Sequence, residues 1–204
     1  DEKYITNMNI KLNNNLLKNI YIDKYLAFGN GIQPMKKIIN EKEYIIMFDG
    51  NLYNSLDLKK YIKDKGYSFD TKQDAEIILY LYVEYGPSFL NFLNGIYSIC
   101  IYDKNESKTF FARDRLGVKP LFYTLTNDTF IFATKIKAIL AHPDITPVLD
   151  KEGLMELIGL GPAHTPGKTY FKNIFELEAG HYAIFSNFKL EIKKYRDIVT
   201  KEFE

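Results

Sequence analysis

At 204 residues, with 46% apolar and 26% charged side chains, the chain is long enough to bury a full core and too apolar to be a disordered segment. Its 27 basic and 26 acidic side chains leave a net charge of +1, which argues against nucleic acid or an anionic membrane as partner. No apolar run approaches the ~20 residues of a membrane helix, no signal-peptide pattern opens the chain, and a single cysteine excludes an internal disulfide and suits a reducing, cytoplasmic setting.

Sixteen Tyr and fifteen Phe without a Trp point to a sheet-rich fold, because aromatics favour the pleated, half-buried surface. The chain begins on Asp1 rather than Met, so it reads as a fragment or a processed product. Residues 1–25 are rich in Asn and Lys, with one short amphipathic candidate around Leu16, Leu17 and Ile20. Strands are expected at 25–28 (YLAF) and 43–48 (EYIIMF). Asp49-Gly50 then stands between apolar runs. By itself this dipeptide signals a hairpin turn; the alternative is that it holds backbone groups beside a ligand.

Ser55 caps a predicted helix, LDLKKYIKDK, with Leu56, Leu58, Tyr61 and Ile62 turned inward and Gly66 as its stop. Thr71 and Asp74 fit an acidic form of capping box for the next helix, AEIILYLYVEY, which ends at Gly86-Pro87. A helical turn, SFLNFL, leads to Gly95. Two hairpins follow: IYSICIYD and TFFARD around KNESK, then PLFYTL and TFIFAT around TND. KIKAILAH and DKEGLMELIGL read as helices, GPAHTPGK as a link, and HYAIFS with LEIKKY as a last strand pair. The sum is one α+β domain over 1–204, with two groups of antiparallel strands.

The segment FFARDRLGVKPLFYTL (110–125), with FATKIKAILAHP (132–143), resembles the glutaminase domain of glutamine-hydrolysing asparagine synthetases. MFDGNLYN (47–54) is similar to that family's Asn-Gly-Glu strand end, and KQDAEIILYLYVEYGPSFLNFLNGIYSICIYD to its following helix and strand. LGPAHTPGKTYFKNIFELEAGHYAIF resembles the closing segment, and KKYRDI the exit towards a second domain, so residues 25–198 are covered. The Arg-Asp-Xaa-Xaa-Gly-Xaa-Xaa-Pro-Leu core also occurs in phosphoribosyl-transferring amidotransferases; IKAILAHP and the tail favour the synthetases.

The resemblance implies a four-layer αββα sandwich of two antiparallel sheets, of the N-terminal-nucleophile hydrolase type. It implies glutamine hydrolysis through a thioester on an N-terminal Cys, with the ammonia passed to a C-terminal synthetase domain. L-glutamine and that domain are the implied partners, a homodimer is left open, and neither nucleic acid nor membrane is expected. No cofactor or metal is expected in this domain; ATP and Mg belong to the synthetase domain. Asp49 and Gly50 fall in the oxyanion region, where Gly50 offers a backbone N–H that substrate can approach. Asp49, Gly50, Asn51 and Asp74 form the implied substrate site, Asp74 taking the glutamine α-amino group. Capping with Thr71 is the structural alternative for Asp74.

Two positions depart from the family. Asp49 replaces an Asn that donates to the oxyanion, whereas an ionised carboxylate only accepts. Asn51 replaces a Glu, which keeps an acceptor but loses its charge assistance. Cys100 sits mid-strand as a small hydrophobe, not a nucleophile. Arg113-Asp114 and Lys119-Pro120 read as scaffold that fixes a turn. His142, His164 and His181 have no ligand spacing.

Three family segments are absent: the N-terminal Cys-Gly-Ile, an Arg-His-Arg-Gly-Pro-Asp run near Ile20-Tyr21, and a His-Arg-Arg-Leu-Ser-Ile-Ile-Asp run near Gly29-Asn30. One explanation is a degenerate, non-catalytic module of the same fold. The other, which the clean junctions favour, is that segments are omitted at 20/21 and 29/30, so that breaks in the chain are expected there. A third function to weigh is the cysteine-less N-terminal domain of a β-lactam-forming synthetase.

Overall fold

Asp49-Gly50 does not turn the chain. In the computed structural model both residues lie within one long strand, β4 (Lys42–Leu52), where Asp49 faces Ser98 and Gly50 faces Tyr97 of β5 (Gly95–Asp103). The turn signal is local, and the cross-strand pairing of nine residues overrides it. The structure describes residues 19–22, 27–30, 34–126, 129–161 and 165–196. Expectations placed on Leu16, Leu17, Tyr25, Leu26, His164 and the tail beyond 196 lie outside these residues.

The chain forms two units, residues 1–34 with 120–178, and 35–119 with 179–204. The second holds a six-stranded antiparallel sheet. Its order is β11 (Lys189–Lys194), β10 (His181–Ser186), β6 (Lys108–Arg113), β5, β4 and β3 (Met35–Ile39). One face of this sheet carries Tyr44, Ile46, Leu52, Tyr97, Ile99, Ile101, Phe110 and Ala112 into the core. Helices α1 (Ser55–Asp64) and α2 (Asp74–Tyr85) and a 3-10 turn (Gly86–Asn91) belong to the same unit. Every residue of α2 from Ala75 to Tyr82 is buried, which explains a helix with almost no polar face. Full burial of a side chain such as Phe89, Phe110 or Ile78 stabilises by roughly 2–3 kcal/mol. Ile45, Cys100, Tyr102 and Phe111 are buried too, on alternate positions, so the central strands read as unbroken apolar runs.

Helix α1 differs in detail from its sequence. Asn54, not Ser55, stands at its N-cap, and it does not cap: its amide donates to Phe92 O (2.9 Å) and its oxygen accepts from Asn94 N (3.0 Å). Leu58 and Ile62 are buried as expected, whereas Leu56 and Tyr61 are exposed, because the buried stripe is one residue per turn wide. Gly66, at φ 96°, closes the helix.

The first unit holds a hairpin, β1 (Asn19–Ile22) with β2 (Ala27–Asn30), and a three-stranded antiparallel sheet. That sheet orders β8 (Phe130–Ala133), β7 (Phe122–Leu125) and β9 (Phe175–Glu176). Ile20, the end of the short amphipathic candidate, is strand. Positions 20/21 and 29/30 fall inside β1 and β2, whose residue-by-residue pairing is unbroken.

Helices α3 (Ile136–Leu140) and α4 (Lys151–Leu160) complete the unit. Asp150 caps α4 by accepting from Gly153 N (3.2 Å). No helix among the described residues is long and apolar enough to cross a membrane.

Candidate active site

The antiparallel alternation of β4 decides where its amides point. Tyr97, opposite Gly50, is turned the other way: its carbonyl accepts from Asp114 N (2.9 Å) and its N–H donates to Asp114 Oδ2 (3.3 Å). Gly50 and Tyr97 are thus a non-bonded pair, and the Gly50 N–H faces away from β5. It points to the edge that β3 has left, since pairing with β3 ends at Met35 opposite Ile46. Two residues on, Leu52 N–H emerges at the same edge and donates to Asp74 Oδ2 (3.2 Å). Asp74 therefore sits beside the strand that carries Gly50.

Glycine at position 50 has a second cause. A Cβ there would come 2.1 Å from Ile96 O, and one at Gly95 would come 2.2 Å from Asn51 O. The two strands pinch together at this end, and only glycine fits on both sides. The close approach that requires Gly50 is that of β5, independent of any ligand.

Asp74 is free for this edge because another residue closes the helix entrance. Thr71 does not bond Asp74; its hydroxyl and N–H both donate to Glu76 Oε2 (2.7 and 2.8 Å), and Asp70 N donates to Glu76 Oε1 (2.9 Å). Lys37 adds an ion pair to Glu76 and a second to Asp70. Glu76 is wholly buried. Burial works to raise its pKa, but the bonds from Lys37, Asp70 and Thr71 outweigh that and hold it at about 2. The capping box expected of Thr71 and Asp74 is not formed: α2 starts at Asp74 with Gln73 at its N-cap and no side-chain cap bond, and Thr71 bonds the Glu76 carboxylate instead.

Asp49 is ion-paired. Lys119 Nζ lies 2.7 Å from Asp49 Oδ1. The turn that delivers Lys119 is built around Asp114, whose carboxylate accepts from the N–H groups of Leu116 (3.0 Å), Val118 (3.1 Å), Lys119 (2.9 Å) and Tyr97 (3.3 Å). Arg113 closes the other side, donating from Nε to Lys119 O (2.9 Å) and from Nη2 to Gly117 O (2.7 Å). Tyr195 fastens the tail to the same point, donating to Arg113 O (2.8 Å).

Asp49, Gly50, Asn51, Asp74 and Lys119 all belong to one unit, and Asn51 is exposed beside the first two. Sequence reasoning missed Lys119 as part of this group. The signal was available: a carboxylate standing where the family has a neutral amide calls for a counter-charge, and the Arg-Asp turn ends in a lysine. Cys100 pairs across the sheet with Met47 and Phe111, and burial raises its thiol pKa well above the usual range, so it is inert. His142 lies near Asp144, and His181 bonds Ala179 O.

Solved enzymes share the fold. A glutamine phosphoribosylpyrophosphate amidotransferase from B. subtilis, complexed with ADP and GMP, superposes with a TM-score of 0.59 at 20% identity, over 82% of this chain and 32% of that one. The allosteric regulatory enzyme of purine biosynthesis does so with a TM-score of 0.61, again at 20% identity and with 82% and 32% covered. The likeness is one of fold, α+β with two antiparallel sheets. The family model of the glutamine amidotransferase domain matches residues 25–196. The chain belongs to this family, whose domain hydrolyses glutamine to supply ammonia.

Among its relatives is the glutamine-hydrolysing asparagine synthetase 3 of Bacillus subtilis (strain 168), 38% identical over 194 residues, covering 90% of this chain and 32% of that protein. Asparagine synthetase 2 of the same organism is 39% identical over 162 residues, covering 77% and 21%. A putative glutamine-hydrolysing asparagine synthetase 2 of Methanocaldococcus jannaschii is 36% identical over 159 residues, covering 77% and 30%. The chain spans about a third or less of the length of these relatives.

Proposed function

We propose that this chain is the glutamine-hydrolysing domain of an asparagine synthetase, working in the cytoplasm and delivering ammonia to a synthetase domain of the kind its longer relatives carry. ATP and Mg act in that other domain. The observation that carries the proposal is the Asp74 carboxylate seated on Leu52 N–H, at the edge where the Gly50 N–H emerges. A carboxylate accepts at several lone pairs, so Asp74 can hold Leu52 and still take the α-ammonium of glutamine. The Gly50 N–H donates to the side-chain amide oxygen and, as the tetrahedral intermediate forms, to the oxyanion. Asn51 offers a neutral acceptor to the ammonium. The thiol that attacks is not Cys100.

The synthetase domain has a surface to meet. Helix α4 buries only Gly153, whose Cβ, were one present, would come 2.7 Å from Thr169 O. The helix lies tightly on that segment through its glycine, and Leu154, Met155, Leu157 and Ile158 face outward, Ile158 with 79% of its surface exposed. We assign this apolar arc to the remainder of the synthetase, which in the relatives makes up two thirds or more of the protein.

Titration calorimetry with L-glutamine tests the proposal. Saturable binding that Asp74→Ala abolishes, without a large fall in melting temperature, is the expected result; no binding by the unsubstituted chain contradicts it. A second reading, a binding module that no longer hydrolyses, is favoured by Asp49, whose ionised carboxylate cannot donate to an oxyanion. Assaying glutamate release from the protein with its encoded N-terminus separates the two. Release supports the enzyme, and binding without release supports the module.

A further inference from the structure

We propose that Lys119 is a substrate-binding residue of the amide site, held there by its ion pair with Asp49, and that the Asp49–Lys119 pair stands in for a neutral donor beside Gly50. The inference rests on the glutamine reading of the site. It starts from a difficulty in that reading: Asp49 precedes the amide that is to meet the substrate's carbonyl oxygen, and an ionised carboxylate there is one acceptor facing another.

The structure removes the difficulty by holding a cation on Asp49 from two directions. The backbone of Lys119 is clamped, its N–H by Asp114 Oδ2 (2.9 Å) and its carbonyl by Arg113 Nε (2.9 Å). That carbonyl also accepts from Ser98 Oγ (3.4 Å), and Ser98 is the cross-strand partner of Asp49. The lysine is thus fixed to the strand pair before its side chain is considered. The side chain then reaches Asp49 Oδ1 at 2.7 Å.

Both side chains are about one third exposed, 30% for Lys119 and 36% for Asp49, so the pair is accessible to a small ligand. With one ammonium N–H on Asp49, the other two are available to a carbonyl oxygen. The pair therefore carries no net charge and presents donors where a lone aspartate would present none. Arg113 and Asp114 act one step further back, by fixing the turn that aims Lys119.

The test is a rescue experiment, read by titration calorimetry with L-glutamine and by melting temperature. Lys119→Met keeps the length of the side chain and leaves Asp49 charged and unpaired; its glutamine Kd is expected to rise at least tenfold. The double variant Lys119→Met with Asp49→Asn is expected to return to within about threefold of the original Kd, because an amide needs no counter-ion. Lys119→Arg, which keeps the charge, is expected to stay within about fivefold. A purely structural lysine predicts the opposite pattern, in which Asp49→Asn rescues nothing. Lys119→Met binding as tightly as the original chain, or the double variant binding as weakly as the single one, overturns the inference while leaving the glutamine site standing. Absence of binding in the unsubstituted chain overturns the site itself, and the inference with it. Melting curves identify a variant that has failed to fold; in that case Lys119→Arg and Asp49→Asn, compared singly, carry the test. A lost affinity in Lys119→Arg with none in Asp49→Asn then counts against the pair.

Discussion

Three residues show how far a side chain's type can mislead about its task. Gly50 is a glycine because β5 passes within contact of its α-carbon, and the same crowding fixes Gly95 across from it. Gly50→Ala therefore destabilises the fold by roughly 1–3 kcal/mol, as overpacking does, besides disturbing the site. A denaturant midpoint measures the first effect, and the matched variant Gly95→Ala should show it as well. Cys100 is the only thiol in the sequence, yet it is sealed in the sheet. A thiol reagent should label it only at the rate of unfolding, and Cys100→Ala should leave glutamine affinity unchanged. Fast labelling of the native chain would contradict the assignment. The Asp-Gly turn signal failed at this scale because it is a property of two residues, whereas the strand is held by partners some fifty positions away.

At the scale of the element, the entrance of α2 is the informative case. A carboxylate three residues after Thr71 suggested a cap, and the sequence offers a second one two residues later. The choice between Asp74 and Glu76 depends on Lys37, which comes from β3, and no local pattern reveals that strand's pairing. With Glu76 bonded to Thr71, Asp70 and Lys37, Asp74 is left to the strand edge, where the proposed glutamine site needs it. Its pH signature has a definite sign. Glu76 titrates at about 2 in the folded chain against 4.5 ordinarily. Its contribution, about 3 kcal/mol at most, is present above pH 4.5 and is lost as pH falls from there towards 2. Urea midpoints taken across that window should drop steeply, and Glu76→Gln should lower stability at neutral pH and flatten the drop. Glu43 and Glu106 are shifted in the same direction by exposed lysines and supply only a shallow background.

For the molecule as a whole, the α+β class, the central hairpins and helix α2 could be read from apolar runs and turn residues, and the family from motifs spread over most of the chain. Strands β3 and β9 could not. Met35–Ile39 sets two adjacent lysines before two adjacent isoleucines, with no alternation, and Phe175–Glu176 is two residues long, so neither rises above the pattern of a loop. The outward face of α4 was equally hidden, because a helix rich in Leu, Ile and Met normally announces a core. Its exposure predicts that the chain alone self-associates with rising concentration, and that Met155→Lys with Ile158→Lys suppresses this in sedimentation velocity without lowering the melting temperature. A chain that stays monomeric at high concentration would remove the reason to assign that arc to a further domain. The central claim is that a strand-end amide and a helix-opening carboxylate frame one glutamine site, and amide-resolved NMR of the 15N-labelled chain tests it most directly. Titration with L-glutamine should move the Gly50 and Leu52 resonances together along one saturation curve, and Asp74→Ala should abolish the movement. Saturable shifts elsewhere in the chain, with both amides unmoved, would contradict it.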